Sequence, residues 1–253
     1  FPWLLRRVWR TWPLEPGPLR GRLEAAAGRA GFRASEILVW HTGGMVVNAA
    51  VAGFLPRLRC VFLTDALMTQ LTDEEIEAVF GHEIGHVRHR HLMLRVMAMI
   101  APVSVVLLAQ QAFPMAISQV EGWLLAGGMG VQAPMGVVVL VGMGLYVFLV
   151  FGAYSRLLEG QADLFGCRAL ACEGDGDATT TFTSALEKIA AANGMNRRAS
   201  GWQHASIARR VRLLDRVADD PAYGRRFQRR VQLATGVLAA IVLSPVAWGL
   251  LVG

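Results

Sequence analysis

Lysine and cysteine are scarce in this 253-residue chain, and each scarcity narrows the class of protein. Lys188 is the single lysine, so arginine supplies nearly all of the positive charge behind a formal net charge of +6. The three cysteines, Cys60, Cys167 and Cys172, form no Cys-x-x-Cys pair, which argues against a disulfide framework and a structural zinc knuckle. A reducing, cytoplasmic setting fits this cysteine usage best. Because the chain opens at Phe1 and not at a methionine, we expect it to be part of a longer protein.

Charged residues are missing from three long apolar runs, in a chain with 54% hydrophobic residues and a mean hydropathy of +0.40. The runs cover residues 96–109, 133–154 and 231–252. About 20 apolar residues in a helix cross the roughly 30 Å core of a bilayer, so the second and third runs are long enough to span it. Each run contains a proline, which membrane helices tolerate. Buried core helices of a soluble protein are the alternative, because the first run is short.

The placement of arginine favours membrane helices. Residues 111–132, between the first two runs, contain no arginine or lysine, whereas arginines flank the two runs on their outer sides. The flanking residues are Arg88, Arg90, Arg95, Arg156 and Arg168. Basic residues concentrate in cytoplasmic loops, so we predict a membrane hairpin with both ends on the cytoplasmic face. This explains the basic charge without a nucleic-acid partner, and we expect none.

The segment before the apolar runs predicts a small β-structure. Residues 1–34 mix tryptophan, proline and arginine and are interpreted as an accessory segment. β-Branched and aromatic residues then predict a three-stranded antiparallel meander. Its strands are expected near residues 36–41, 45–51 and 60–64. Together with the apolar helices, this predicts an α+β fold class that is mainly helical.

A long helix is predicted after the meander. Thr72 and Glu75 are spaced as in a capping box, which marks a helix N-terminus. We expect this helix to run from Asp73 through a histidine-rich stretch and to continue into the first apolar run.

That stretch, "VFGHEIGHVRHRH" at residues 79–91, contains an H-E-x-x-H motif. His82 and His86 are four apart and project from one helix face, where two imidazoles can hold Zn²⁺. Glu83 points toward the open coordination position, so the motif combines a metal clamp with a base. Chance produces such a pattern on the order of once per hundred chains of this size, so a third ligand is needed. His89 and Leu92 stand where one class of zinc protease has glycine and histidine, which excludes that class.

A candidate third ligand follows the predicted hairpin, in "YSRLLEGQADLFGCRAL" at residues 154–170. Glu159 and Asp163 are four apart on one helix face. Glu159 can complete a His₂Glu set, while Asp163 can accept the free ring N–H of a ligand histidine and hold its tautomer. An even number of membrane crossings returns this helix to the side of the histidines. The alternative for Glu159 is an ordinary solvated carboxylate.

Four segments in this order resemble the membrane zinc metalloproteases of the HtpX and CAAX prenyl endopeptidase family. They are "VNAAVAG" (47–53), "VFLTDALMTQLTDEEIEAVFGHEIGH" (61–86), the S-R-x-x-E-x-x-A-D pattern (155–163) and "HASIARRVRLL" (204–214). The resemblance covers roughly residues 46–214 and implies a zincin-like metalloprotease domain with an inserted transmembrane hairpin. It implies one Zn²⁺ per chain held by His82, His86 and Glu159, with Glu83 as general base and Asp163 behind the ligands.

The resemblance also implies roles for residues outside the two motifs. The strand at Asn48 and Ala49 is expected at the cleft edge, where a substrate peptide adds as an extra strand. His204 is expected to stabilise the oxyanion of the tetrahedral intermediate, with Arg210 as its supporting residue. Ala205 departs from the proline that usually follows this histidine. The alternative for His204 is an ordinary surface histidine.

The sequence therefore predicts a membrane-anchored zinc endopeptidase that cuts protein or peptide substrates at the cytoplasmic face. We expect a multi-pass protein of the bacterial inner membrane, with a role in membrane-protein quality control. The metallopeptidase domain is placed at residues 35–230, interrupted by helices at about 94–112 and 133–154, and a last membrane helix at 231–253. A sensor protease that cleaves a transcriptional repressor, a non-catalytic scaffold and a prenylated-peptide substrate remain alternatives. The oligomeric state is not indicated.

Overall fold

The computed structural model describes residues 2–53, 55–170 and 178–252, so Cys172 lies outside the described part. The chain forms two compact units. The first contains Phe1–His91 and Leu158–Phe227, and the second contains Leu92–Leu157 and Gln228–Gly253. The second unit is therefore inserted into the first along the chain and also supplies the C-terminal helix.

Helices dominate the described residues, as predicted. In chain order they are α1 (Pro2–Val8), α2 (Pro18–Arg29), α3 (Asp65–Gln70), α4 (Asp73–Arg88), α5 (His91–Ala112), α6 (Pro114–Ala126), α7 (Gly128–Leu145), α8 (Gly152–Leu170), α9 (Ala178–Ala192), α10 (Ile207–Asp219) and α11 (Pro221–Val252). A π-helical stretch, Tyr146–Phe151, joins α7 to α8.

The sheet of the first unit is mixed, so the predicted antiparallel meander is wrong. Its strands are β1 (Thr11–Pro13), β2 (Glu36–Trp40), β3 (Ala49–Ala52) and β4 (Cys60–Thr64), in the order β1-β2-β4-β3. β4 is parallel to β2 and antiparallel to β3, and β1 adds to β2 in antiparallel orientation. The physical reason lies in burial: every residue of β4 is buried, as a central strand requires, whereas β3 is only partly covered and takes the edge.

β3 begins later than predicted because side chains form hydrogen bonds with the backbone of the two residues that precede it. The amide of Asn193 bonds both the N–H and the C=O of Val47, at 3.1 and 2.9 Å. The hydroxyl of Thr64 accepts from Asn48 N–H at 3.0 Å. These bonds hold residues 47 and 48 beside the sheet without a regular strand ladder.

The carboxylate of Asp65 holds the loop that leads to β3. It accepts from the N–H and hydroxyl of Thr42 and from the N–H of Gly43, at 3.0, 2.6 and 3.0 Å. Burial acts to raise the pKa of Asp65, but hydrogen bonds from Thr42, Ala66 and Gly44 outweigh it and lower the pKa to about 2.

The start of α4 confirms the predicted capping box. Thr72 Oγ1 accepts from Glu75 N–H at 3.3 Å, and the Glu75 carboxylate accepts from Thr72 N–H at 2.9 Å. The same carboxylate accepts from Ser184 and Lys188 of α9, at 2.6 and 2.8 Å. One glutamate therefore caps α4 and fastens it to α9.

The opposite side of α4 is fastened to α2. Glu77 is fully buried and accepts from Arg22 and Arg29 at 3.2 and 2.8 Å. Between these polar contacts, α4 packs Ile76 and Phe80 into the core cluster that includes Val61 of the central strand. Residues of the predicted accessory segment 1–34 thus pack in the same unit as the H-E-x-x-H helix.

The histidine-rich helix ends at Arg88, so the prediction of one continuous helix into the apolar run is wrong. Arg90 has φ 55, and among the described residues it is the only one besides glycines with positive φ. The N–H groups of His89 and Arg90 bond back to Gly85 and Val87 and close the turn. The chain changes direction there and starts α5 at His91.

Three of the described helices are long and apolar enough to cross a membrane, and each contains one of the three predicted apolar runs. They cover His91–Ala112, Gly130–Arg168 and Pro221–Val252. The short helix α6, which the sequence did not predict, lies between the first two. The exposed apolar side chains along these helices support a multi-pass membrane protein.

Candidate metal centre

Two helices bring three metal-ligating side chains together. His82 and His86 lie one turn apart on α4, with their Nε2 atoms 3.1 Å apart. Glu159 of α8 faces both, with Oε1 3.5 Å from His86 Nε2 and Oε2 3.9 Å from His82 Nε2. The three ligand atoms lie within 4.8 Å of one another, the one such group in the part of the chain that the structure describes.

The donor set fits zinc. Ligand atoms about 2.0–2.1 Å from a tetrahedral Zn²⁺ are about 3.4 Å from one another, and the observed separations lie on either side of that value. Two imidazoles and a carboxylate are a donor set that zinc enzymes use, with one position left open. The sequence prediction of His82, His86 and Glu159 as neighbours across the inserted segment thus agrees with this geometry.

Two glycines allow α4 and α8 to approach this closely. A methyl group on Gly166 would come within 2.9 Å of the backbone nitrogen of His82 and 3.0 Å of the carbonyl of Ala78. A methyl group on Gly85 would come within 3.1 Å of the Cα of Ala162. The carboxylates of α8 reach the histidines of α4 because neither crossing point carries a side chain.

Asp163 lies behind His82, one helical turn from Glu159. Its Oδ1 is 2.8 Å from His82 Nδ1, and its side chain is fully buried. Within this distance the carboxylate can accept the Nδ1 hydrogen, which leaves the Nε2 lone pair of His82 directed at the donor cluster.

Arg210 of α10 does not support His204 as expected. Its guanidinium donates from Nε to Asp163 Oδ2 at 2.8 Å and from Nη2 to Asp163 Oδ1. The planar fork of arginine matches both oxygens of one carboxylate, and both side chains are largely buried. Arg210 therefore acts on the site through Asp163 and His82, which makes it a positioning residue.

His204 borders the cluster from the solvent side. Its Nδ1 lies 3.2 Å from Glu159 Oε2, and its side chain is 62% exposed. The exposed side chain is accessible to a substrate, and its role as oxyanion donor stays a prediction.

His91 and Gln161 were missed as site residues. His91 Nδ1 lies 2.8 Å from His86 Nδ1, and His91 Nε2 lies 3.0 Å from Gln161 Oε1. The helix break at Arg90 turns His91 back onto His86, which a continuous helix would not allow. The signal available in the sequence was the excess of histidines between residues 82 and 91. In the structure His91 is buried at the very start of an apolar helix, which is unusual for a polar residue.

Glu83 lies between the donor cluster and the edge strand. Burial raises the pKa of its carboxyl group, an effect that the nearby Glu159 carboxylate strengthens and the charges of His82 and Arg210 oppose. The N–H of Val51 in β3 donates to this carboxylate. A carboxyl group with a raised pKa beside an open metal position is suited to take up and release a proton.

The edge of β3 that faces Glu83 can accept another strand. Thr64 N–H donates to Asn48 C=O, so in the antiparallel register Ala50 and Ala52 face β4. Ala49 and Val51 therefore direct their backbone groups away from β4, in agreement with the Val51 contact to Glu83. No other strand among the described residues occupies this edge.

His82 and His86 of α4 meet Glu159 of α8, and Glu83 follows His82 directly. These residues define a metallopeptidase-type site in a chain with candidate membrane helices. The chain belongs to peptidase family M48, because the sequence model of that family matches residues 13–218. This confirms the resemblance noted from the sequence.

Curated relatives carry the name protease HtpX homolog. The relative from Thermoplasma acidophilum is 28% identical over 198 residues, which cover 76% of this chain and 58% of the relative. The relative from Aeropyrum pernix is 27% identical over 170 residues, which cover 64% of this chain and 50% of the relative. The chain thus spans about half the length of the curated relatives it matches.

The crystal structure of Ste24p from S. mikatae shares the fold. It superposes with a TM-score of 0.58 at 21% identity, over 84% of this chain and 52% of that chain. At this identity, the likeness concerns the fold alone.

Proposed function

We propose that this chain is the catalytic part of a membrane-anchored zinc endopeptidase that hydrolyses peptide bonds of protein or peptide substrates. The observation that carries the proposal is the convergence of His82, His86 and Glu159, with Glu83 beside them. Membership of family M48 and the name of the HtpX relatives support it.

The residues of the site divide the work of hydrolysis. His82, His86 and Glu159 would hold one Zn²⁺, which when bound lowers the pKa of a water molecule and polarises the scissile carbonyl. Glu83 accepts the proton of the attacking water and delivers it to the leaving amine. His204 gives up its contact with Glu159 and donates a hydrogen bond to the oxyanion of the tetrahedral intermediate.

The substrate binds as an additional strand along β3. The outward N–H and C=O of Ala49 and the outward C=O of Val51, whose N–H is bonded to Glu83, hydrogen-bond an extended peptide and draw its scissile bond alongside Glu83. This mode recognises backbone, so it suits protein substrates of varied sequence. We place Ala49 at the substrate side of the cleft for this reason, with Asn48 next to it on the same edge strand although its own backbone groups are bonded to Thr64.

The finer assignments belong to the same proposal. The proposal extends to a catalytic site on the cytoplasmic face of a bacterial inner membrane and to a role in the quality control of membrane proteins, of which the arginine asymmetry supports the sidedness alone. A non-catalytic scaffold fits poorly, because the proposed base, the three donors and Asp163 are all in place. A sensor protease that cleaves a repressor, or a protease that cleaves prenylated peptides, would use the same metal centre and differ only in its substrate.

The test uses the full chain purified in detergent, with casein and a quenched fluorescent peptide as substrates. We expect one zinc per chain, cleavage that a chelator abolishes, and recovery when zinc is returned. Glu83→Gln should keep the zinc and lose about 100-fold or more of the activity. Cleavage at the wild-type rate by Glu83→Gln, or by the zinc-free chain, would rule out this function.

A further inference from the structure

The side chains of Gln161 and His91 form a hydrogen-bonded relay that ends on His86. We infer that this relay selects the tautomer of His86 and thereby prepares it to bind the metal. The inference rests on the proposed function in so far as it concerns a zinc site, but it concerns residues to which the H-E-x-x-H motif gives no role.

The contacts define a chain of three side chains. Gln161 Oε1 lies 3.0 Å from His91 Nε2, and His91 Nδ1 lies 2.8 Å from His86 Nδ1. The remaining nitrogen of His86, Nε2, is the atom that faces His82 and Glu159 at 3.1 and 3.5 Å. Both ring nitrogens of His91 are therefore engaged, one toward α8 and one toward the metal centre.

The direction of the relay follows from donor and acceptor chemistry. A carbonyl oxygen only accepts, so the hydrogen of the neutral His91 ring lies on Nε2. Nδ1 of His91 is then an acceptor, and the Nδ1 of His86 must donate to it. The hydrogen of His86 is thus held on Nδ1, and Nε2 presents a lone pair to the donor cluster. Reversal of the Gln161 amide would reverse both bonds and place a hydrogen on the nitrogen that must bind zinc.

The backbone is strained where it delivers His91. Arg90 adopts φ 55, a conformation that residues with a side chain rarely take, and this turn is what brings His91 back onto the helix that precedes it. His91 is 1% exposed, although it is a polar residue next to an apolar helix. A buried histidine with both nitrogens engaged, held by a strained turn, fits a positioning role better than a packing role.

The relay also makes the two ligand histidines unequal. His82 is backed by the Asp163 carboxylate, whereas His86 is backed by a neutral imidazole and an amide. A carboxylate partner increases the basicity of a ligand histidine more than a neutral partner does. The contact on the Nδ1 side of His86 is thus the neutral relay, and we assign the tautomer of His86 to it.

The experiment measures the zinc affinity of the full chain in detergent by competition with a chromogenic chelator. Gln161→Leu keeps the size of the side chain and removes the acceptor, whereas Gln161→Glu keeps an acceptor oxygen. We expect Gln161→Leu to lower the zinc affinity about 10–100-fold and Gln161→Glu to stay within a few-fold of the wild type. His91→Phe should resemble Gln161→Leu, and the control His89→Gln, in the same turn, should bind zinc as the wild type does.

The tautomer itself is measured in the zinc-free protein with His82→Ala, because the Nε2 atoms of His82 and His86 lie 3.1 Å apart and a hydrogen bond between them would compete with the relay. With ¹⁵N-labelled histidine, the NMR spectrum of this variant should place the hydrogen of His86 on Nδ1, and the addition of Gln161→Leu should give a mixture of tautomers. Equal zinc affinity of the wild type, Gln161→Leu and His91→Phe would overturn the inference. If His91→Phe does not fold, the two Gln161 variants decide.

The outcome separates this inference from the proposed function. A wild-type chain that binds zinc but cleaves nothing defeats the endopeptidase and leaves the affinity comparison intact. A wild-type chain that binds no zinc defeats both. A wild-type chain that binds zinc and cleaves, with unaffected Gln161→Leu, defeats the relay alone.

Discussion

Gly166 and His82 belong to different helices, and a methyl group on Gly166 would come within 2.9 Å of the backbone nitrogen of His82. The clash would be with backbone, which cannot rotate away as the end of a side chain can. The position of the donor cluster thus depends directly on the spacing of α4 and α8.

We expect Gly166→Ala to separate these helices and to lower both stability and zinc affinity. An overpacked site of this kind destabilises by about 1–3 kcal/mol. Thermal unfolding and chelator competition measure the two effects. The control is Gly28→Ala on α2, where a methyl group meets nothing within 4 Å and should stabilise the helix by up to about 1 kcal/mol. Unchanged zinc affinity in Gly166→Ala would show that the helix spacing does not set the site.

Removal of Arg210 should leave the Asp163 carboxylate buried without its cationic partner. The loss of one member of a buried ion pair costs about 3–5 kcal/mol, so Arg210→Met should lower the melting temperature by roughly 10 °C. The double variant Arg210→Met with Asp163→Asn removes both charges and should recover much of that loss. Thermal unfolding in detergent compares them, and an Arg210→Met melting curve like that of the wild type would contradict the ion-pair account.

Proline substitutions distinguish the open edge of β3 from the edge that pairs with β4. Ala49→Pro removes an N–H that points to the open edge, so the protein should fold while KM for a peptide substrate rises at least several-fold. Ala50→Pro removes an N–H that faces β4 and should lower the melting temperature. The peptide assay and thermal unfolding check the pair. Equal KM for Ala49→Pro and the wild type would mean that substrate does not add at this edge.

The loop anchor at Asp65 should lose its contribution in acid. Its pKa of about 2 in the folded chain is lower than that of an unfolded aspartate, about 3.9. The stabilisation is therefore complete above about pH 4 and disappears as the pH falls through about 2. The difference in melting temperature between the wild type and Asp65→Asn should shrink over this window. The exposed Asp215→Asn serves as control, and a difference that is constant with pH would refute the anchor.

Local patterns were sufficient for the H-E-x-x-H helix and for the candidate cluster. The capping box at Thr72 and the four-residue spacing of His82 and His86 depend on one helix alone. The proximity of Glu159 followed from the parity of the membrane crossings, which required no knowledge of how the two units pack.

Contacts between distant parts of the chain could not be derived from the sequence patterns. The parallel pairing of β2 with β4 depends on β3 moving to the outer side of β4, and the hydrophobic alternation of a strand does not reveal which neighbour it pairs with. Arg90 carries no turn signal, since glycine or asparagine is the usual residue at positive φ. Without that turn, the position of His91 behind His86 could not be derived. The pairing of Arg210 with Asp163 depends instead on the packing of α10 against α8, which the sequence patterns do not show.

The donors of the cluster lie on both flanks of the inserted unit, which has a consequence for biosynthesis. A ribosome adds about 70 residues between His86 and Glu159. At 5–20 residues per second this takes roughly 4–14 s. During that interval the nascent chain has two imidazoles and no carboxylate from α8, so it cannot yet hold a metal in the complete set. The order of synthesis thus delays completion of the donor cluster until the inserted apolar helices have been made.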